Sequence, residues 1–176
     1  MIQLHDKHFV PFITAEDIDA VVKRMATQIA SDLKDENPVL IGVLNGAFMV
    51  MSDLVKYYTG PCEVSFVKMA SYEGTQSTGD IKQLIGLGRS LEGRSVVIIE
   101  DIVDTGNTIV ELKKMFEEQN VKQLKIATLF FKPEAYTKDI ALDYIGFEIP
   151  NKFIVGYGLD YDGLGRNLPE IYQLQS

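Results

Sequence analysis

Hydrophobic residues near the start of the chain recur at helical spacing. Ile18, Val21, Val22, Met25, Ile29 and Leu33 share one face, and Thr14, three residues before Asp17, supplies a cap. The spacing predicts an amphipathic helix that ends near Asn37-Pro38. Val39–Leu44 is then an apolar run of the kind found in a strand buried on both faces of a parallel sheet. Asn45-Gly46 turns the chain into a helix that runs through Tyr57, and residues 63–69 alternate as a strand. Residues 70–82 are mostly polar, with Ser-Tyr-Glu-Gly-Thr-Gln-Ser-Thr-Gly-Asp at their centre and no apolar face. They predict a long mobile loop, a class enriched in lids. A second apolar strand, residues 95–99, leads into Glu100-Asp101; a helix over 108–119 and a third apolar strand over 124–131 follow. Strand and helix in alternation predict an α/β domain with a central parallel sheet, whose ligands collect at the strands' C-terminal ends. The tail, residues 143–174, carries short strands and Gly/Asp-rich turns and predicts an appended hood rather than another βαβ unit.

Composition narrows the function classes. With 176 residues and 46% hydrophobic content the chain fits one domain, and it shows no repeat or long linker. The expected division is a core over about 10–140 and a hood built from the tail, 141–176, with N-terminal residues. Against 17 Lys+Arg stand 25 Asp+Glu, a net charge of −8, which argues against a nucleic-acid partner because phosphate backbones are bound by clustered cations. Cys62 is the single cysteine, so no internal disulfide or thiolate cluster can form and a reducing compartment is expected. Charges interrupt residues 1–9, where a leader's apolar core would lie. The uncharged stretch 39–52 falls short of the roughly 20 apolar residues that span a bilayer. A soluble cytoplasmic protein with no membrane partner is expected. Both histidines, His5 and His8, lie at the N-terminus, which leaves proton transfer to carboxylates, lysines or tyrosines.

The chemistry concentrates in Glu100-Asp101-Ile102-Val103-Asp104-Thr105-Gly106-Asn107-Thr108. A buried strand delivers two carboxylates to the sheet edge, and the turn after it opens into a helix. Backbone N–H groups at a helix start, Thr hydroxyls and a Gly that permits close approach make a phosphate cradle. Beside it, Glu100 and Asp101 are suited to a sugar diol or to Mg²⁺, and the combination describes a site for a ribose 5-phosphate group. A plain capped turn accounts for Thr-Gly-Asn-Thr alone but not for the adjoining acids. No Gly-x4-Gly-Lys-Ser/Thr is present, no Gly-x-Gly-x-x-Gly follows a strand, and Asp101 and Asp104 are separated by two residues rather than the one an aspartyl-phosphate site uses.

This segment resembles the phosphoribosyl pyrophosphate (PRPP) motif of the type I phosphoribosyltransferases, and the resemblance extends in order over nearly the whole chain. Ser71-Tyr72 with Gln76-Ser77-Thr78-Gly79-Asp80 is similar to the family's flexible catalytic loop. Lys132-Pro133 and the run from Lys152 to Tyr161 resemble the hood of the branch that acts on 6-oxopurines. The resemblance implies a central parallel sheet flanked by helices with a small hood for the base, and transfer of the phosphoribosyl group from PRPP to hypoxanthine or guanine. It implies that Asp104, Thr105, Gly106, Asn107 and Thr108 hold the 5-phosphate, that Glu100 and Asp101 engage the ribose hydroxyls and a metal-bound water, and that Asp104 faces purine N7 as the catalytic group. Lys132 is implied to donate to the 6-oxo group, Phe153 to stack on the ring and the Ile154 backbone to pair with the base edge. Asp160, beside the base, is implied to complete a Mg²⁺ ligand set with Glu100 and Asp101. Arg166 and the loop Leu44-Asn45-Gly46 are implied to contact pyrophosphate, although the family usually carries a basic residue where this chain has Asn45. A homo-oligomer, dimer or tetramer, belongs to the same expectation. Two other readings share the fold: a catalytically silent PRPP-sensing regulator, against which the net charge and the intact loop speak, and a xanthine-preferring transferase, against which the hood speaks.

Overall fold

The computed structural model describes residues 1–69, 84–85 and 90–175. Two short strands, β1 (Ile2–Leu4) and β2 (Lys7–Ile13), pair as an antiparallel hairpin that no long hydrophobic alternation announces. Helix α1 (Ala15–Asp32) begins at the predicted cap, where the Asp17 N–H donates to Thr14 Oγ1 at 3.2 Å and the Thr14 hydroxyl donates to Asp17 at 2.8 Å. It ends short of Asn37-Pro38, at Leu33, whose φ of −115° and ψ of 27° leave the helical region, and Asn37 then takes a left-handed φ of 45°. Strand β3 (Val39–Leu44), helix α2 (Phe48–Tyr57), strand β4 (Glu63–Lys68) and the two-residue β5 (Leu84–Ile85) come next. Strand β6 (Ser95–Val103) runs past the apolar segment and takes Glu100 and Asp101 into the ladder; helix α3 (Asn107–Glu117) and strand β7 (Gln123–Phe131) follow.

The tail supplies β8 (Tyr144–Glu148), β9 (Ile154–Val155) and β10 (Ile171–Leu174). The described residues form two sheets. The larger has the order β5-β4-β3-β6-β7-β8, parallel from β4 to β8 with β5 antiparallel at one edge. The smaller, β1-β2-β10-β9, is the hood. This corrects the expected boundary at residue 141, since β8 belongs to the core. Its Tyr144 is buried, Phe147 stacks on Phe130 at 5.7 Å, and the Ile126 N–H donates to Asp143 at 2.8 Å. Short alternation hid this strand, whereas burial against β7 forms it. The other half of the hood is the N-terminal hairpin.

Alternation within the parallel strands feeds two cores, one on each face of the sheet. Leu40, Val97, Ile99 and Leu129 pack with α1 and α2, while Ile41, Val96, Ile98 and Ile126 pack with α3 through Ile109, Leu112 and Phe116. Each fully buried side chain of this size removes apolar surface worth about 1.5–3 kcal/mol. That makes the sheet a rigid platform for whatever its C-terminal edge carries. No helix among the described residues is long and apolar enough to cross a membrane. The segment that resembles a lid, with Ser71 and Tyr72, lies outside the described residues.

Candidate active site

Three parallel strands, β3, β6 and β7, end side by side, and the loops that leave them build two adjoining cavities. The loop after β3 carries a cis peptide bond between Leu44 and Asn45. Its next residue is glycine for lack of space, because a Cβ on Gly46 would overlap the Asp101 carboxylate. Within this loop the Ala47 N–H donates to Val43 O at 3.1 Å and the Phe48 N–H to Asn45 O at 3.3 Å. Asn45 is exposed and Leu44 half-buried; of the four residues expected to meet pyrophosphate, Gly46 and Arg166 line the larger cavity described below.

The end of β6 places the acids between the cavities. Glu100, 4% exposed, faces a small pocket of about 110 Å³, and Asp101 faces a larger one of about 380 Å³. Burial, together with the neighbouring Asp101 charge, holds Glu100 well above the usual carboxylate range. Burial likewise pushes Asp101 up to about 6, against the pull of the Ile102 N–H, which donates to its Oδ1 at 2.8 Å, and of the Arg166 charge.

The small pocket is the start of α3. Its floor is the turn Thr105-Gly106-Asn107-Thr108, with Asp104 at the rim. Gly106 is the N-cap, at a φ of 84° that favours glycine, and having no side chain it leaves the first turn of the helix without a side-chain cap. The positive end of the helix dipole and the turn's N–H groups therefore face a cavity the size of one phosphate group.

Asp104 belongs to both cavities. Its Oδ2 lies 3.0 Å from Lys132 Nζ, and Lys132, 7% exposed, is set at the end of β7 by its N–H donating to Val103 O at 3.0 Å. The hood closes the larger cavity with Phe153, Ile154, Leu159, Asp160 and Arg166. Phe153 is half-exposed and is held edge-on by Tyr161, ring centroids 5.8 Å apart and planes at 82°; Tyr161 in turn donates to Asp6 of the N-terminal hairpin at 2.8 Å. Arg166 pairs with Asp160 at 2.6 Å and donates to Gly158 O at 2.6 Å, and the Gly163 N–H donates to the other Asp160 oxygen at 2.7 Å.

Residues far apart in the chain thus converge. Gly46, Asp101, Asp104, Lys132, Phe153, Ile154, Asp160 and Arg166 share one cavity, and Glu100 with residues 104–108 shares the next. The expected metal trio does not form a single cluster: Asp101 and Asp160 share the larger cavity, while Glu100 opens into the smaller. Among the described residues no group of three or more His, Cys, Asp or Glu could hold a metal ion by itself. Ile102, which lines both cavities, and Leu159 are site residues that the pattern did not single out. An apolar residue in a cavity wall carries the same sequence signal as one in the core.

Comparison with known proteins agrees with this geometry. Residues 14–162 match the model of the phosphoribosyl transferase domain family. A hypoxanthine-guanine phosphoribosyltransferase of Streptococcus thermophilus is 44% identical over 157 residues, 89% of this chain and 87% of that protein. One of Streptococcus agalactiae is 43% identical over the same shares. Among solved structures, a hypoxanthine phosphoribosyltransferase of Staphylococcus aureus superposes with a TM-score of 0.85 at 40% identity, covering 94% of this chain and 91% of that one. By domain match, sequence identity and superposition, the chain belongs to the phosphoribosyltransferase family.

Proposed function

We propose that this protein transfers the 5-phosphoribosyl group of PRPP to N9 of a 6-oxopurine, hypoxanthine or guanine, giving the nucleoside 5′-monophosphate and pyrophosphate in purine salvage. One observation carries the reading: a phosphate-sized pocket at a helix start is joined through Asp104 to a larger cavity that holds a cation, Lys132, and an exposed ring, Phe153. The similarity to hypoxanthine-guanine and hypoxanthine phosphoribosyltransferases supports the choice of base.

In this reading the 5-phosphate sits on the amides of residues 105–108, which anchors the ribose with its C1 toward the larger cavity. Phe153 stacks on the purine, the Ile154 backbone pairs with its edge, and Lys132 donates to the 6-oxo oxygen. Lys132 is paired with Asp104 in the structure, so engaging the base draws it away and leaves Asp104 free to accept the proton at N7 as N9 attacks. Fixed dipoles and carboxylates near C1 then stabilise the positive charge that develops on the ribose ring as its bond to pyrophosphate breaks. Asp101 and Asp160 would hold Mg²⁺, which would neutralise the pyrophosphate and make it a better leaving group. Two carboxylates in one cavity fit that ion, which is usually bound through one or two carboxylates and substrate phosphates rather than in an all-protein cage. The reading also includes a homo-oligomer working in the cytoplasm.

The test is to incubate the protein with PRPP, Mg²⁺ and each nucleobase in turn, following nucleotide and pyrophosphate. Hypoxanthine or guanine should be converted and pyrimidines should not. Absence of turnover with every purine, together with tight RNA binding, would replace the enzyme with a regulator of the same fold.

A further inference from the structure

Behind the larger cavity, the hood makes an unusual backbone turn. Gly156, Tyr157 and Gly158 have φ of 106°, 45° and 100°, three left-handed residues in succession, of which the middle one is bulky and buried. A large side chain is strained in this region and stays there only where its surroundings hold it. Here the holder is α2: the Tyr157 hydroxyl donates to Asp53 Oδ2 at 2.6 Å, and the other Asp53 oxygen pairs with Lys56 at 2.6 Å. Desolvation together with the Asp53 carboxylate raises the Tyr157 hydroxyl's pKa, so it remains a donor across the physiological range.

The turn has a visible consequence at the site. Gly158 lies so close to the pyrophosphate loop that a Cβ there would overlap Gly46 O. Its own N–H donates to Arg166 O at 3.0 Å, and its carbonyl accepts from the Arg166 guanidinium, which is paired with Asp160. Tyr157 itself lines neither cavity, and helix α2 starts only two residues after Gly46.

We infer that Tyr157, anchored on Asp53, is a positioning residue that presses the hood onto the pyrophosphate loop and so sets Gly46, Arg166 and Asp160 for the pyrophosphate end of the substrate. This inference rests on the proposed transfer reaction. The base contacts, Lys132, Phe153 and Ile154, have no link to the strut among the described hydrogen bonds, so its loss acts on one substrate and not the other.

Tyr157→Phe keeps the ring and removes the hydroxyl. It should raise KM for PRPP by about tenfold, as expected for loss of a hydrogen bond to a charged group. KM for the base and kcat should stay within about threefold, as uniform binding of one substrate requires. Asp53→Asn keeps an acceptor oxygen and should behave like the wild type; Asp53→Ala should reproduce Tyr157→Phe, and the double variant should add nothing further. A merely structural role would lower thermal stability and the active fraction without splitting the two KM values, and that result would overturn the inference. So would an unchanged KM for PRPP in Tyr157→Phe. If the wild type itself turns over no purine, the proposed reaction fails instead, which keeps the two failures distinct.

Discussion

Replacing Asp101 by asparagine should stabilise the protein at neutral pH while disabling it. Asp101 is the carboxylate enclosed between Gly46, Glu100 and the Arg166 charge, and burial lifts it from an ordinary 3.8 to about 6. An acid whose pKa is raised by folding binds more protons in the native state than in the unfolded chain. Stability therefore falls as pH rises between the two values, and the loss is complete above the higher one. Below about 3.8 the group is protonated in both states and the fold bears no penalty. Above 6 the penalty is about two pH units at 1.36 kcal/mol each, or about 3 kcal/mol. Asp101 still reaches water through its cavity, so about 1–3 kcal/mol is the recoverable part. Asparagine retains an oxygen to accept from the Ile102 N–H and carries no charge to press on Glu100.

For a domain of this size each kcal/mol moves Tm by about 2–4 °C, so Asp101→Asn should melt roughly 3–10 °C higher at pH 7.5. The gap should narrow through pH 6 and close near pH 4, as circular dichroism melts across that range would read. PRPP with Mg²⁺ should raise the Tm of the wild type and leave that of the variant nearly unchanged. A gap that is independent of pH, or a variant less stable than the wild type at pH 7.5, would refute the argument that Asp101 is a charge held at the fold's expense.

Asp104→Asn should lower kcat by about 10²–10⁴, the usual worth of a positioned proton acceptor, while the dissociation constant for inosine monophosphate changes far less; steady-state kinetics beside calorimetry checks both. Gly46→Val should reduce kcat/KM for PRPP well beyond tenfold, because its side chain would collide with Asp101. Exposed Asn45→Ala should cost under about tenfold, or 1.4 kcal/mol, and the reverse order would mean that the Asn45 side chain carries the contact. With the metal removed by EDTA, inosine monophosphate should still raise Tm, since its phosphate needs only the start of α3, whereas PRPP should lose most of its effect.

How far the sequence could be read depends on what each feature needs in order to form. The parallel core was legible because strands buried on both faces carry continuous apolar runs, and the phosphate turn because its Asp, Thr and Gly serve local geometry. The tail strand β8 was not, since five residues of weak alternation become a strand only against β7. Nor could spacing reveal that Lys132 is paired with Asp104 across 28 positions, or that Tyr157 reaches back to α2. Each of these depends on long-range packing that pattern does not encode.

The charges at the site explain why an acidic chain can take a polyanion at all. Of the cations that line the larger cavity, Lys132 is paired with Asp104 and Arg166 with Asp160, so neither brings net positive charge to it. Asp101, when ionised, makes the balance negative. In the proposed reading, attraction for phosphate would then come from elements that carry no formal charge, the helix start at residues 105–108 and the backbone of the loop after β3, and from a divalent ion that the same carboxylates would hold. The same pairing bears on selectivity. Unpaired lysines and arginines in an open cavity would hold any phosphate, whereas in the proposed reading cations already paired would release their partners only to a ligand that supplies both a metal-bridged pyrophosphate and a 6-oxo acceptor. On that proposal, selectivity for a substrate pair would follow from ion pairs that must be exchanged rather than merely occupied.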